Sequence, residues 1–390
     1  YFLGKELTGI NQLASSELFT LPKNRKFFIE KNSQFWDISS TSFHPIISLS
    51  KGGLANGWGA NVAAFKENDI SDWPLNYAKL DKYYQNIYKK IPITSTRDNL
   101  SEYIDTGYES NPPVTLSSQD KKILKNYRKK KKLTDIHLGK SRLAINTDNS
   151  SEYGCINCCM CIWGCPKKSI YNPVEHTLKK CEKFDSYTYI NKRKVLYFNI
   201  IHDAIKSITY LDIIDNKIKT KDVTGNIFLA AGAISSGAIY SKTMSRLNNQ
   251  TDCRPILDTP VVKIPYINTS ALGDSVSYNN IQFNRLILGV LQNNPDWPRY
   301  IHGEIMNLSS LMYHPLIESL GFGSILSSKL FYKLLPSIGV VTLFFPDKSN
   351  INNKLTTNPS SDSVEIDYTL SNNQEILMKS VVKKVKKFLL

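Results

Sequence analysis

The sequence predicts an α/β (α+β) fold. The chain has 390 residues and 41% of them are hydrophobic, which is enough for one large α/β unit or two domains. The apolar run Asn226–Ala231 leads through Gly232 into a helical pattern, as a buried strand followed by a helix does. Strand-like runs between Tyr187 and Leu211, and again near Val364, indicate that sheets make up much of the rest.

The first part of the chain is predicted to hold short strands and one clear helix. Phe27–Ile29 and Ile46–Leu49 are short apolar runs of the length of strands. After Trp73 a helix is expected, because apolar side chains recur there at helical spacing, at Tyr77, Leu80, Tyr84 and Ile87.

The second part is predicted to be richer in strands. Strands are expected at Tyr187–Ile190, Val195–Phe198, Ile208–Leu211 and Val364–Tyr368, where β-branched and aromatic residues cluster or alternate with polar ones. Ser371 can cap a last helix that runs from about Asn373 to Leu389.

The net charge of +15 excludes little by itself. Nucleic-acid binding requires clustered charge and a recognition module, and no such module is visible. The run Arg128–Lys132 is therefore interpreted as a solvated surface, although an acidic partner or an anionic membrane remains compatible with the charge. No stretch has the length and apolar character of a transmembrane helix, and no signal peptide is in view. A cytoplasmic location without a membrane span is expected.

A glycine-rich segment, Lys51–Asn61, carries four glycines in eight residues. Such density is incompatible with a helix interior or an ordinary strand. Without Cβ atoms, peptide groups can approach a flat ligand or a phosphate, while Trp58 can supply an aromatic wall and Asn56 an amide. An ordinary glycine-rich turn without a ligand is the alternative.

A second segment places four cysteines within eleven residues, at Cys155, Cys158, Cys161 and Cys165, with Pro166 after the last. This is the spacing of a bacterial ferredoxin cluster run, so iron–sulfur ligation is one hypothesis. A structural zinc site and a metal-free cluster of packed thiols are the two others. Cys159 is a fifth thiol in the run and could replace Cys158 as a ligand.

In order along the chain, these segments resemble the glucose–methanol–choline (GMC) family of oxidoreductases. Lys51–Asn61 resembles the flavin-facing loop of that family, and the stretch from Trp73 to Tyr84 resembles the motif that follows it. Gly154–Pro173 resembles the Cys-rich segment of a bacterial sugar- and alcohol-dehydrogenase branch. Ala230–Ser236 matches the family signature AAGA-I-x-S.

The resemblance implies an FAD-dependent enzyme that takes a hydride from the CH–OH group of a sugar or another alcohol. Gly52, Gly53, Asn56, Gly57, Trp58 and Gly59 would line the isoalloxazine ring. Val195 would meet the adenine, and Ala231, Gly232 and Ala233 would pass near the ribose and pyrophosphate. In the Cys-rich branch this segment can hold an iron–sulfur cluster. The implied fold is a Rossmann-like FAD-binding domain with a sheet-based substrate domain.

Two departures limit what the resemblance implies. The family opens with a βαβ unit that carries G-x-G-x-x-G, and its catalytic His lies in a C-terminal motif; neither is found here. We therefore expect an incomplete FAD-binding portion in residues 1–250, and a substrate-binding portion with the start of the C-terminal region in residues 251–390. His302 and His314 fall in the substrate region and are expected to be structural. An inactive partial gene product and an iron–sulfur electron-transfer module are the alternatives to the enzyme.

Overall fold

The computed structural model describes most of the chain. The described residues are 23–29, 36–40, 42, 45–71, 73–104, 110–129, 135–276, 279–294, 296–298, 300–307, 324–358, 360–361 and 363–390. His44 and His314 lie outside them.

The described chain contains both helices and strands, mostly in runs of one kind. The helices are α1 (Tyr77–Lys90), α2 (Ser101–Ile104), α3 (Ser118–Lys129), α4 (Lys179–Cys181), α5 (Ala233–Asn248), α6 (Ser324–Leu334) and α7 (Asn372–Leu389). The strands are β1 (Asp37–Ser40), β2 (Ile136–Lys140), β3 (Arg193–Ile201), β4 (Ala204–Asp212), β5 (Lys217–Asp222), β6 (Cys253–Pro255), β7 (Val261–Ile267), β8 (Leu286–Leu291), β9 (Tyr300–Asn307), β10 (Ile338–Phe344), β11 (Lys354–Thr357) and β12 (Ser363–Asp367).

The largest sheet has five antiparallel strands in the order β2-β8-β9-β10-β7. Alternate residues of its strands, such as Leu286 and Leu288 of β8, point into one apolar core. The apolar sides of α3 and α7 cover this face, and Val381 and Val385 of α7 are fully buried there. The two helices and the sheet therefore form two layers around a single core.

A second core lies between a four-stranded sheet and α5. The sheet has the order β1-β12-β11-β6, and β1 pairs with β12 in parallel. Ile234 and Ile239 of α5 pack against Val364 and Ile366 of β12. The meander β3-β4-β5 packs against the same helix and contributes Phe198. Both larger sheets combine strands from either side of residue 250.

Several elements predicted from the sequence are confirmed. The runs Val195–Phe198, Ile208–Leu211 and Val364–Tyr368 fall in β3, β4 and β12. The helix expected after Trp73 is α1, and the last helix is α7, whose amide N–H of Gln374 donates to the Ser371 hydroxyl as predicted for a cap.

Four predicted strands are wrong because none of them finds a neighbouring backbone to pair with in the described structure. Phe27 and Phe28 belong instead to a 3₁₀ turn, Lys23–Phe28, that packs against the glycine loop. Ile46–Leu49 and Tyr187–Ile190 run without a ladder. Asn226–Ala231 also lacks one: its Ile227 and Leu229 pack on the second core while Phe228 is 87% exposed. Among the described residues, no helix has the length and apolar character required to cross a bilayer.

A buried ion pair joins α3 to the five-stranded sheet. The Asp120 carboxylate accepts from the Arg285 guanidinium at 2.5 Å, and both side chains are almost completely buried. Asp120 also caps its own helix, since its carboxylate accepts from the backbone N–H of Ser117 at 2.8 Å and from the side-chain amide of Asn307. Removing one partner would leave an uncompensated charge in a low-dielectric interior.

We therefore expect Asp120→Ala to lower the free energy of unfolding by about 3–5 kcal/mol. The matched control is Glu375→Ala, which removes the carboxylate of an exposed helical pair with Lys379 and should cost about 0.3–0.5 kcal/mol. Urea unfolding followed by circular dichroism measures both. A loss for Asp120→Ala no larger than that of the control would contradict the role of the pair.

Candidate functional site

The glycine loop turns sharply and packs against the cysteine segment. Gly52 has a φ of 91°, a left-handed conformation, and precedes a 3₁₀ turn, Gly53–Asn56. A Cβ atom at Gly52 would lie 2.6 Å from the Val174 side chain. Glycine is therefore required there both by the backbone conformation and by the close approach of the segment after the cysteines.

The side-chain amide of Asn56 holds the loop together. Its Nδ2 donates to the carbonyls of Lys51 and Gly53, both at 2.9 Å, and its Oδ1 accepts from Asn172 Nδ2 at 3.0 Å. Asn56 is buried, so these bonds replace its hydration. The sequence predicts Asn56 as a flavin contact; in the structure its amide also connects the loop to the segment that follows the cysteines.

A cavity of about 450 Å³ opens beside the loop. Ala55, Asn56, Gly57 and Trp58 of the loop line it together with the cysteine segment, including Cys161, Cys165, Tyr171 and Asn172. The Trp58 indole N–H donates to the Tyr171 carbonyl at 3.0 Å, which fixes the orientation of its ring. We call this cavity the loop pocket.

The loop pocket has a cationic lining. Arg25, Lys51 and Lys168 contribute positive charge and Glu175 is the only acidic residue among the residues that line it. Lys168 pairs with Glu175 at 2.7 Å, and Lys51 pairs with Glu182 at 2.8 Å. Arg25 donates to the Asn56 carbonyl, and its burial lowers its pKa. A surplus of positive charge in a cleft favours an anionic ligand.

The glycines of the loop differ in what faces them. A Cβ atom at Gly57 would lie 2.0 Å from the Phe28 ring, so a side chain of this protein already fills that approach. Around Gly53 and Gly59 no atom of another described residue lies within 4 Å of such a Cβ, and the same holds for Gly232. The open approaches to the backbone are thus at Gly53, Gly59 and Gly232.

The other predicted flavin contacts lie in the unit around α5. Val195 is on β3 and packs, half-buried, against the second core. Gly232 caps α5 with a φ of 83°, between the exposed residues Ala231 and Ala233. None of these four residues lines the loop pocket as the described residues define it.

The four cysteines of the predicted run meet at one small cavity of about 10 Å³. Cys155, Cys158, Cys161 and Cys165 all line it, and Cys159 does not. Cys159 has a φ of 56° and is buried elsewhere. Cys161 and Cys165 also line the loop pocket, so these two residues form a shared wall between the two cavities.

Backbone N–H groups point at the sulfurs of the shared wall. Ser169 N–H lies 3.2 Å from Cys165 Sγ, and Gln282 N–H lies 3.5 Å from Cys161 Sγ. The Ser169 hydroxyl lines the same cysteine cavity, is buried, and has no hydrogen-bond partner in the described part of the chain. Donors directed at sulfur suit thiolates, or a group that thiolates bind.

Burial favours the protonated form of two of these thiols, Cys155 and Cys161. It raises the pKa of Cys161 to about 12 and also raises the pKa of Cys155. Across the residues that the structure describes, no group of three or more Cys, His, Asp or Glu side chains is arranged to hold a metal ion. The donor chemistry therefore suits a thiolate-bound group, whereas the sulfur positions are not those of ligands around one.

His302 has partners for both ring nitrogens. Its Nδ1 lies 2.8 Å from the Tyr300 hydroxyl and its Nε2 lies 3.7 Å from Glu304. Glu304 in turn accepts from the side-chain amide of Asn61. These contacts agree with the structural role expected for this histidine.

Sequence reasoning missed several residues of the loop pocket. Asn172 and Tyr171 follow the cysteines directly and could have been included by proximity. Arg25 and Phe283 come from distant parts of the chain, and no motif marks them.

Comparison with known proteins gives one line of support, and it concerns the fold. No family model matches the chain, and no curated protein matches it. Among solved structures, the chain is similar to an FAD-dependent oxidoreductase from Chaetomium thermophilum, solved in complex with the fragment 4-oxo-N-[(1S)-1-(pyridin-3-yl)ethyl]-4-(thiophen-2-yl)butanamide. The two share 12% identity over 88% of this chain and 69% of that chain, with a TM-score of 0.52. The likeness shows that this chain has the mixed α/β fold of that protein.

The raised pKa of Cys161 predicts slow alkylation. At pH 8 only about one Cys161 thiol in ten thousand would be ionised, so the exposed Cys253 should react with iodoacetamide far faster. The rate at Cys161 should rise about tenfold per pH unit below its pKa. Peptide mapping by mass spectrometry after treatment with a chelator measures both rates, with the urea-unfolded protein as the control. Equal rates at Cys161 and Cys253 in the folded protein would show that Cys161 is a thiolate.

Proposed function

We propose that this protein is an FAD-dependent oxidoreductase of GMC type, which oxidises a CH–OH group of a sugar or another alcohol. The observation that carries the proposal is the loop pocket, which is lined by Asn56, Gly57 and the oriented Trp58 of the glycine loop together with the cations Arg25, Lys51 and Lys168. The fold shared with an FAD-dependent oxidoreductase supports it. Residues 1–250 would supply most of the flavin-binding portion and residues 251–390 most of the substrate-binding portion, in a cytoplasmic enzyme.

The residues present fit a flavin in three respects. Gly53 and Gly59 leave open space where a ring or a phosphate can approach the peptide groups. Arg25 and Lys51 place positive charge at the pocket, which suits the anionic parts of FAD and the negative charge of a reduced flavin. Gly232, which opens α5, offers an N-terminal helix turn of the kind that accepts a phosphate or ribose.

When bound, FAD would supply the hydride-accepting chemistry. The residues of this chain would orient the bound ligand and shield it from water. Trp58 is locked by its bond to the Tyr171 carbonyl, so it can hold a flat ligand in one plane without losing further freedom. Glu175 and Glu182 neutralise part of the positive charge at Lys168 and Lys51, which leaves Arg25 as the main cation toward the ligand.

The protein is expected to bind FAD in the loop pocket. Ala55 lines the pocket, so Ala55→Trp would fill space that the ligand requires and should weaken FAD binding at least about tenfold, as loss of one well-packed contact does. Ala78→Trp, on exposed α1, is the matched control and should leave affinity unchanged. Isothermal titration with FAD measures both. Equal affinities for the two variants would place the flavin elsewhere.

The oxidoreductase activity has a direct test that does not depend on an electron acceptor. With FAD bound under anaerobic conditions, a substrate sugar or alcohol should bleach the visible flavin absorbance. A panel of aldoses, polyols and primary alcohols identifies the class. If flavin binds and no member of a broad panel bleaches it, the inactive partial product becomes the better interpretation.

We further propose that the cysteine segment binds an iron–sulfur cluster through Cys155, Cys158, Cys161 and Cys165. Their common cavity, the N–H groups directed at two of the sulfurs and the Ser169 hydroxyl, which has no partner in the described part of the chain, support this. The four sulfurs would have to move closer together on binding, because in the described structure they are not arranged around one metal ion. Zinc and metal-free packing are the alternatives. The shared wall at Cys161 and Cys165 favours an electron-transfer role beside the loop pocket, in the enzyme or as a separate module.

Anaerobic purification should then give a brown protein with about three or four iron and sulfide per chain. Cys165→Ser should abolish the colour and the iron while FAD binding persists. Cys253→Ser is the control, because Cys253 is exposed on β6 outside the cavity, and it should change neither. Zinc without sulfide would support a structural metal site, and a colourless protein free of metal would leave the cysteines as packing groups.

A further inference from the structure

The outer corner where α3 and α7 end carries a cluster of unpaired cations. The two helices meet through Tyr127 and Phe388, whose ring centroids are 6.2 Å apart. Around this contact, exposed cationic side chains come from the last two turns of both helices. They are Lys125, Arg128 and Lys129 of α3 and Lys383, Lys386 and Lys387 of α7, and we call them the basic corner.

The basic corner keeps its charge. None of its six cations forms an ion pair or a hydrogen bond with another described side chain, whereas neighbouring Lys384 and Lys379 pair with Asp135 and Glu375. The charge of these six side chains is therefore available to a partner.

The residue types of the basic corner favour one class of anionic partner over the others. Five of the six cations are lysines, which act as mobile point charges, whereas recognition of individual phosphates favours the planar fork of arginine. Its two aromatic rings are turned inward: Phe388 is 7% exposed and Tyr127 packs on the first core. No aromatic side chain of α3 or α7 is thus presented for stacking on bases or as an anchor for a protein interface. The exposed residue Ile376 of α7 is aliphatic, so it offers no aromatic ring for stacking either.

We propose that the basic corner docks this protein on an anionic phospholipid surface. A membrane requires no shaped anchors, because each lysine near an anionic leaflet raises the partition roughly fivefold. The inference goes beyond the proposed oxidoreductase function and does not depend on it. Docking at the surface also differs from insertion of a helix into the bilayer, because the apolar faces of both helices are already buried in the first core.

The test is co-sedimentation of the full chain with vesicles of phosphatidylcholine alone or mixed with phosphatidylglycerol. The unmodified protein should bind the mixed vesicles, and binding should fall with added salt as the charges are screened. The triple variant Lys383→Gln, Lys386→Gln, Lys387→Gln should bind about a hundredfold more weakly. The control triple, Lys79→Gln, Lys89→Gln, Lys90→Gln, removes the same charge from exposed positions of α1 and should change binding less than about threefold.

Three outcomes would overturn the proposal. The first is an absence of binding to the mixed vesicles at low salt. The second is an equal loss in both triple variants, which would assign binding to net charge rather than to the corner. The third is tighter binding of single-stranded RNA than of vesicles at the same salt, with the same loss in the corner variant, which would make nucleic acid the partner. Circular dichroism confirms that each variant is folded.

Discussion

The candidate site depends on the side-chain amide of Asn56. Its Nδ2 closes the glycine loop on the carbonyls of Lys51 and Gly53, and its Oδ1 ties the loop to Asn172. Because these partners use the whole amide, the loop backbone has one conformation, and its open glycines face outward rather than collapsing. The pocket wall is therefore built by a residue that sequence reasoning had assigned to the ligand.

The loop pocket and the cysteine cavity share not only the wall at Cys161 and Cys165 but also one apolar cluster that packs against both. A small apolar cluster around Leu143 and Ile145 packs beneath both, and Trp58, Cys161 and Tyr171 pack against it. Burial in this cluster fixes the Trp58 ring, and burial in the same region raises the pKa of Cys161. One packing arrangement thus gives the loop pocket an oriented aromatic wall and raises the pKa of Cys161 in the neighbouring cavity.

Structural features formed within one segment could be predicted from the sequence, whereas contacts between distant segments could not. The helix α7 could be predicted because its apolar spacing and the Ser371 cap agree. Asn226–Ala231 could not, because an apolar run becomes a strand only when another backbone lies beside it, and no sequence pattern reports that neighbour. The cysteine cavity followed from spacing within one segment. Arg25 and Phe283 reach the loop pocket through tertiary packing, so nothing local marked them.

The shared wall also links the electrostatics of the two cavities. Cys161 and Cys165 are neutral while protonated, and the cations of the loop pocket then face no opposing charge from that side. A group that draws the protons from these thiols would bring its own positive charge against the new negative charge of the sulfurs. Any residual negative charge would lie at the edge of the loop pocket, where Arg25 and Lys168 can offset it. The cationic lining therefore suits an anionic ligand on one side and ionised sulfurs on the other, and the same residues can serve both.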